Sequence, residues 1–109
     1  MFQRGDVVLV PFPFTDLSST KTRPVVVLSV DEFESATGDL TVAMITSVSH
    51  STPFDYELKD WQAANLLAPS WVRAKLATLS ARLVRYKPGS LTEADLAGVE
   101  ERIRQALGL

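Results

Sequence analysis

The chain of 109 residues is long enough for one domain with a single core and too short for two. Its composition, with 46% hydrophobic and 22% charged residues, is that of a globular protein. Because cysteine is absent and His50 is the only histidine, disulfides, thiolate metal sites and two-histidine acid–base mechanisms are excluded. No run approaches the roughly 18 apolar residues of a membrane helix, and no signal peptide is recognisable, so we expect a cytoplasmic protein.

The net charge of -2 and the pI of about 5.3 argue weakly against a nucleic-acid partner. The distribution of charge is more informative, because residues 71–87 include basic side chains and no acidic one. Such a run either forms a basic face suited to phosphate or consists of solvated charges at strand edges. The basic residues of the run are Arg73, Lys75, Arg82, Arg85 and Lys87.

The first half of the chain predicts strands joined by polar connections. Residues 6–10 are an apolar strand, which the Pro-Phe-Pro-Phe sequence at 11–14 should end because proline cannot continue a ladder. Residues 15–22 form a polar loop, longer than a hairpin requires, and long loops on a strand scaffold often carry function. The β-branched run at 24–30 predicts a buried central strand, and the acidic segment 31–39 predicts a connection that closes in a turn.

The second half predicts more strands and then one helix. Strands are expected at residues 40–45, 54–58, 71–79 and 83–86, and a single capped helical turn at 60–65. Pro88 and Gly89 should stop the last strand.

Thr92 suits the N-cap of the closing helix, Asp95 occupies its capping-box position, and Gly108 ends it. The apolar stripe of this helix comprises Leu96, Val99, Ile103 and Leu107. Short strands without crossover helices require a mainly antiparallel sheet that curls on itself. We therefore predict one mainly β domain over residues 1–109, a small SH3-like antiparallel β-barrel with a C-terminal helix.

Arg23 is the first candidate for chemistry, because it stands before Pro24 at the junction of the polar loop and a central strand. Proline holds the preceding residue in an extended conformation, so the side chain of Arg23 extends from a rigid strand end. Its planar guanidinium can bind two oxygens of a phosphate. The alternative is a surface arginine paired with Asp6 or Asp16.

Other candidates are equally open when taken singly. The hydroxyls of Thr46 and Ser47, at the end of a strand, can donate to a phosphoryl oxygen or satisfy turn backbone. His50 is either an acid–base group or an exposed loop residue. Trp61 and Trp71 either stack on unpaired bases or belong to the core.

Five segments taken together are more specific, namely residues 4–16, 21–29, 42–47, 60–79 and 89–96. In this order they resemble the MazF/PemK-like toxin family, and the arginine-proline strand is the most diagnostic of them. The resemblance implies the barrel predicted above, a homodimer, and a toxin of a type II toxin-antitoxin system that its antitoxin neutralises. It further implies a sequence-specific endoribonuclease that cuts single-stranded RNA without metal or other cofactor, leaving 2′,3′-cyclic phosphate and 5′-hydroxyl ends.

The resemblance also implies site residues. Arg23 and Thr46 match the active-site pair of the family, and Ser47 follows directly. The long loop and the basic run are expected to contact RNA, and the loop to set the cleavage sequence. The expected RNA-binding residues are Asp16, Ser18, Ser19, Thr20, Lys21, Arg73 and Lys75.

One departure from the family leaves alternatives open. Some members place an aspartate near the position of Arg73 that helps proton transfer, whereas residues 72–78 contain no acid here. The alternatives are a catalytically weak barrel that binds RNA or only an antitoxin, and a toxin of the same fold that poisons DNA gyrase by protein contact. A third is an SH3-type domain that docks peptides on its tryptophans and its Pro-Phe-Pro-Phe sequence.

Overall fold

The computed structural model describes residues 1–11 and 21–109. This part of the chain contains β-strands, a short 3₁₀ helix and two α-helices, the longer of which is C-terminal. In chain order the elements are β1 (Asp6–Pro11), β2 (Thr22–Val27), α1 (Asp31–Thr37), β3 (Asp39–Thr46), β4 (Tyr56–Glu57), β5 (Trp71–Ser80), the 3₁₀ helix (Ala81–Leu83), β6 (Tyr86–Ser90) and α2 (Glu93–Leu107).

The described strands form one six-stranded antiparallel sheet in the order β4-β5-β3-β2-β1-β6, curled into a half-barrel. β1 pairs with β2, and β2 pairs with β3, so the first three strands are neighbours both along the chain and in the sheet. Bulges interrupt the ladders between β1 and β6 and between β3 and β5, where extra residues increase the curvature of a sheet. The prediction of a mainly β, antiparallel fold with a C-terminal helix is confirmed.

Two apolar clusters lie on opposite faces of this sheet. Along β1, Val7 belongs to the first cluster and Val8 to the second, and along β2, Val26 belongs to the first and Val25 and Val27 to the second. Because successive strand side chains point to opposite faces, this alternation places one cluster on each side of the strands. All five side chains are fully buried, which explains why the two strands are almost uninterrupted runs of valine.

Helix α2 covers the first cluster. Val99 is buried in that cluster, and Leu96 and Ile103 pack against it, as the apolar stripe predicted. Leu107 is 55% exposed, so the prediction that the stripe extends to it is wrong.

Both predicted ends of α2 are confirmed. Thr92 is the N-cap, and its hydroxyl accepts a hydrogen bond from the backbone N–H of Asp95 at 3.2 Å. Gly108 ends the helix in the left-handed conformation that glycine adopts without a steric penalty.

Three local predictions are wrong. The acidic segment 31–39 contains helix α1, which buries none of its residues and ends at Gly38 with φ of 76°. The strand predicted at 54–58 is reduced to Tyr56–Glu57. Residues 81–83 form the 3₁₀ turn, and β6 begins only at residue 86 and continues through Pro88 and Gly89.

Smaller shifts concern strand ends and the first tryptophan. β1 includes Pro11, one residue past its predicted end. The strand predicted at 24–30 stops at Val27, and Val30, at its predicted end, is exposed. Asp60 caps the turn at 60–65 as expected, since its Oδ1 accepts from the N–H of Ala63 at 3.3 Å. Trp61 packs against the first cluster, which agrees with the core alternative for this residue.

Candidate functional site

The ends of several strands surround a groove of about 920 Å³. Side chains that are distant in sequence converge there, because four strand ends lie at the same end of the antiparallel sheet. These are the start of β2, the end of β3, the start of β5 and the start of β6. Leu66, Leu67 and Ala68, from the connection before β5, close one side.

Arg23 lies at the start of β2 and lines the groove with its side chain exposed. It pairs with Val10 across the β1–β2 ladder, and Pro24 behind it pairs with Leu9, so its backbone is fixed on a strand. Within residues 1–11 and 21–109 its guanidinium has no ion pair or hydrogen bond. A fixed cation without a protein partner is available to a bound anion.

Thr46 and Ser47 line the same groove at the end of β3. The ladder pairs Val25 with Met44, and continuing this register by two residues places Thr46 opposite Arg23. Thr46 Oγ1 accepts a hydrogen bond from the backbone N–H of Val48 at 3.1 Å, so it satisfies turn backbone as one alternative proposed. Its hydroxyl hydrogen is not used in that bond and can still be donated.

Arg73 and Lys75, on β5, complete the cationic lining. Among the residues that the structure describes, Arg23, Arg73 and Lys75 line the groove and no acidic side chain does. Of the basic run at residues 71–87, Arg73 and Lys75 are thus the members that line the groove.

The other predicted RNA-binding residues are placed differently. Lys21 is exposed and does not line the groove. Asp16, Ser18, Ser19 and Thr20 belong to the predicted loop 15–22 and lie outside the described residues, which exclude 12–20.

His50, one of the open candidates, lines the groove. Tyr86 and Asn65 also line it, and the sequence analysis did not single them out. Tyr86 is 62% exposed at the start of β6, so its ring is accessible. Asn65 donates from Nδ2 to the carbonyl of Pro88 at 2.8 Å, and this bond holds the connection before β5 against β6. Asn65 has a left-handed φ of 58°, which asparagine tolerates better than most residues.

The comparison with known proteins agrees with this architecture. The sequence profile of the PemK-like, MazF-like toxins of type II toxin-antitoxin systems matches residues 3–107. The chain belongs to this toxin family. No curated protein matches its sequence.

Solved structures of similar fold cover nearly the whole toxin chain. An endoribonuclease in complex with its cognate antitoxin, from Mycobacterial species, matches with a TM-score of 0.84 and 19% identity over 100% of this chain and 97% of that one. MazF from Deinococcus radiodurans matches with a TM-score of 0.78 and 25% identity over 99% and 97%. A MazE-MazF structure from the same organism gives 0.78 and 24% over 99% and 96%. These similarities show that the toxin has the MazF fold.

Apolar side chains border the groove of the toxin. Leu67 is 99% exposed and Val48 is 61% exposed, and both line the groove.

Neither helix of the described chain is long and apolar enough to cross a membrane. Among the same residues, no three carboxylate or histidine side chains are grouped as metal ligands.

Asp6 of the toxin does not pair with Arg23, which answers one alternative from the sequence. It is buried at the start of β1, where its Oδ1 accepts from Ser90 Oγ at 2.9 Å and lies 3.2 Å from Lys87 Nζ. Its Oδ2 accepts from the backbone N–H of Gln3 at 2.8 Å. Asp6 is therefore a structural residue that joins the N-terminus to β6, and Lys87 of the basic run is used in this contact.

Behind the groove, Asp95 joins helix α2 of the toxin to the segment that leads to the groove wall. Its carboxylate is 1% exposed and accepts from Tyr56 Oη at 2.9 Å and from the backbone N–H groups of Lys59 and Asp60 at 3.0 and 2.9 Å. Gly98, one turn later, lies against the ring of Tyr56, where a Cβ would collide with it. The capping-box pattern in the sequence predicts only a local role for Asp95 and does not indicate these tertiary bonds.

Tyr56 should give the toxin a measurable pH dependence of stability. Burial, followed by the hydrogen bond to Asp95, raises the pKa of Tyr56 above its usual 10.0. The unfolded chain then loses the phenol proton at a lower pH than the native protein, so this contribution is complete below about pH 10 and declines as pH rises through the native pKa.

We expect the free energy of unfolding of Tyr56→Phe to be lower by about 1 kcal/mol near neutral pH, because one hydrogen bond is lost. Above about pH 10 the difference from the wild type should shrink. Urea unfolding of both proteins at a series of pH values measures this difference. Parallel curves across the alkaline range would contradict the role assigned to Tyr56.

Proposed function

We propose that this toxin is an endoribonuclease that cleaves single-stranded RNA at Arg23, Thr46 and Ser47. The observation that supports the proposal best is the convergence of these three residues with Arg73 and Lys75 in one groove, whose described lining residues include no acid. Membership of the MazF-like toxin family and the fold shared with an endoribonuclease agree with it. A groove that combines the cations of Arg23, Arg73 and Lys75 with the hydroxyls of Thr46 and Ser47 is suited to a phosphodiester.

RNA carries its own nucleophile, so such a groove can support cleavage. The 2′-oxygen attacks the adjacent phosphorus and loses its proton to a base, and the bond from phosphorus to the 5′-oxygen breaks. The leaving 5′-oxygen takes up a proton. The products are a 2′,3′-cyclic phosphate and a 5′-hydroxyl end, and the protein has to align the three atoms and stabilise charge on the phosphoryl oxygens.

Each site residue has a role in this reaction that follows from its chemistry. Arg23 binds the phosphoryl oxygens with its fork, and since arginine remains protonated it can also donate to the leaving oxygen. The hydroxyls of Thr46 and Ser47 donate to the same oxygens as charge develops. His50 also lines the groove, and its imidazole is a candidate for the base that accepts the proton of the 2′-hydroxyl.

RNA on either side of the cleaved bond is held by the remaining groove residues. Arg73 and Lys75 meet flanking phosphates, and Tyr86 offers an exposed ring on which a base can stack. The polar loop with Asp16, Ser18, Ser19, Thr20 and Lys21 selects the cleavage sequence. No metal or other cofactor is needed for this chemistry, because RNA supplies the nucleophile and the groove supplies the charge.

The proposal includes protein partners. MazE-MazF from Deinococcus radiodurans and the mycobacterial endoribonuclease with its cognate antitoxin share this fold, so a cognate antitoxin is the expected inhibitor. The exposed apolar side chains of Leu67 and Val48 are suited to contact with such a partner at the groove. We further propose that the toxin is a homodimer and acts in the cytoplasm.

A cleavage assay in EDTA tests the proposal. Purified toxin, stripped of metal, is incubated with a long single-stranded RNA and with DNA of the same sequence. We expect discrete RNA fragments with 2′,3′-cyclic phosphate ends and intact DNA, because DNA lacks the attacking hydroxyl. Mapping the 5′-hydroxyl ends gives the cleavage sequence.

Intact RNA in the presence of folded toxin would contradict the proposal. The family membership would stand, and a toxin that binds RNA or antitoxin without cutting, or one that poisons gyrase, would replace it. Fragments that end in a 3′-hydroxyl would refute the mechanism, because they require a different nucleophile.

A further inference from the structure

A buried acid lies behind the groove in contact with one of its cations. Asp55, just before β4, has a side chain only 6% exposed, and its Oδ1 lies 3.8 Å from Nε of Arg73. The other carboxylate oxygen of Asp55 and the Nε of Arg73 are both buried, and neither has a hydrogen-bond partner among the residues that the structure describes. Burying an ionic pair without satisfying its hydrogen bonds costs stability, so this arrangement is not explained by folding alone.

The backbone of Asp55 is held in place from helix α2. Nη1 of Arg102 donates to the carbonyl of Pro53 at 2.7 Å and to that of Asp55 at 3.2 Å, and the N–H of Asp55 donates to the carbonyl of Thr52 at 3.3 Å. The carboxylate is therefore attached to a rigid part of the fold, although it belongs to a connecting segment. A fixed acid can orient a flexible cation.

Arg73 presents two different ends to its surroundings. Its Nε faces the protein interior beside Asp55, whereas the side chain as a whole is 31% exposed and lines the groove. A guanidinium is planar, so fixing the direction of the Nε edge also fixes the direction in which the terminal nitrogens point. The buried contact with Asp55 thus determines how Arg73 meets a ligand in the groove.

We propose that Asp55 is a positioning residue that aims the guanidinium of Arg73 at an RNA phosphate. The inference rests on the proposed function only in that the phosphate belongs to single-stranded RNA. Residues 72–78 lack the aspartate that some family members have near this position, but Asp55 brings an acid beside Arg73 from another segment. In this proposal that acid orients a cation. A carboxylate near the groove that had no such role would only weaken RNA binding by repulsion.

The sign of one mutational effect tests this proposal. Asp55→Asn removes a negative charge near the groove, so electrostatics alone would strengthen RNA binding. If Asp55 positions Arg73, binding should instead weaken by about tenfold, the effect expected when one charge-assisted phosphate contact is lost. Affinity is measured by fluorescence anisotropy with a short, labelled, 2′-O-methylated RNA of randomised sequence, which cannot be cleaved.

Glu57→Gln is the matched control, because Glu57 lies two residues away on β4, is exposed, and does not line the groove. It removes the same charge and should leave affinity unchanged or slightly higher. Arg73→Lys, which keeps the charge but lacks Nε and the fork, should lose about as much affinity as Asp55→Asn. In the Arg73→Lys background, Asp55→Asn should cause no further loss.

The salt dependence gives a readout that a purely structural role would not change. Each phosphate contact to single-stranded RNA contributes a slope of about -0.7 in log affinity against log salt. The slope should become shallower by about that amount in Asp55→Asn and remain unchanged in Glu57→Gln. Thermal unfolding of each variant confirms that the compared proteins are folded. If Asp55→Asn does not fold, full retention of affinity by Arg73→Lys would still overturn the proposal.

The outcomes separate this inference from the proposed function. Unchanged or stronger RNA binding by Asp55→Asn, or full retention of affinity by Arg73→Lys, would overturn the positioning role. A wild-type toxin that binds the RNA but never cleaves a normal one would refute the nuclease proposal and leave this inference standing. A wild-type toxin that does not bind the RNA at all would overturn the inference.

Discussion

Replacement of Arg23 by alanine is expected to reduce cleavage of single-stranded RNA by about 10²–10³-fold or more while the protein stays folded. Arg23 is exposed, and in the described part of the chain its guanidinium has no partner, so its removal costs the native state little. The loss should be in kcat, because negative charge on the phosphoryl oxygens is greatest in the transition state. Single-turnover cleavage of an RNA that carries the mapped site measures this rate.

Arg82→Ala is the matched control for charge. Arg82 is also an exposed arginine, but it lies in the 3₁₀ turn and does not line the groove. It should cleave RNA at nearly the wild-type rate, with at most a small change in affinity. Arg23→Lys separates charge from geometry, and we expect it to remain at least tenfold impaired because an ammonium cannot bind two phosphoryl oxygens with a planar fork. Equal activity of Arg23→Ala and Arg82→Ala would show that Arg23 has no catalytic role.

The part of the groove formed by Arg23 and Thr46 could be predicted because it depends on short-range sequence. A proline that follows Arg23 marks a strand start, and Thr46 and Ser47 mark a strand end. Antiparallel pairing of successive strands brings such ends together, as β2 and β3 do here. The resemblance to the MazF/PemK-like family then gave a role to residues that local reasoning had left ambiguous.

Asp55 and Asp95 could not be placed from the sequence, because their partners are distant along the chain. Asp55 stands in a polar segment where an exposed acid is the ordinary expectation, and only the β4–β5 pairing brings it near Arg73. Asp95 satisfied a local capping pattern, which concealed its bonds to Lys59 and Asp60. Local rules predict local partners and do not predict which loop will cover a helix end.

The wrong secondary-structure predictions have similar causes. Helix α1 buries no side chain, so residues 31–37 contain no apolar stripe from which its period could be read. Strand β6 tolerates Pro88 because it lies at the edge of the sheet, where a missing N–H need not break a ladder. Gly89 is required there, since a Cβ would lie 2.9 Å from the carbonyl oxygen of Ala64.

Asp95→Ala is expected to destabilise the protein by about 3 kcal/mol, more than any other single polar substitution that we propose. The carboxylate is the shared acceptor for the backbone N–H groups of Lys59 and Asp60 and for the hydroxyl of Tyr56. Its removal leaves these donors without a partner at a position where Asp95 itself is 1% exposed. Asp95→Asn should recover part of the loss, because its amide oxygen can still accept a hydrogen bond. The recovery should be incomplete, because the amide nitrogen is itself a donor and would face other donors.

Thr92→Ala provides the comparison that isolates the tertiary role. Thr92 caps the same helix, and loss of its hydroxyl should cost about 1 kcal/mol without affecting the bonds to residues 59 and 60. Urea unfolding at one fixed protein concentration measures all three variants. If Asp95→Ala cost no more than Thr92→Ala, the carboxylate would be acting only at the helix end.

The same bonds connect stability to the groove. Lys59 and Asp60 lead directly into the turn at 60–65, and the residues that follow form the groove wall that ends at Ser70. Asn65 ties the same wall to β6 through its bond to Pro88, and Asp95 fixes the start of the wall through Lys59 and Asp60. Asp95→Ala should therefore also lower RNA cleavage at temperatures where it is still folded, and Thr92→Ala should not. Equal cleavage by these two variants below their unfolding transitions would mean that the groove wall is positioned independently of helix α2.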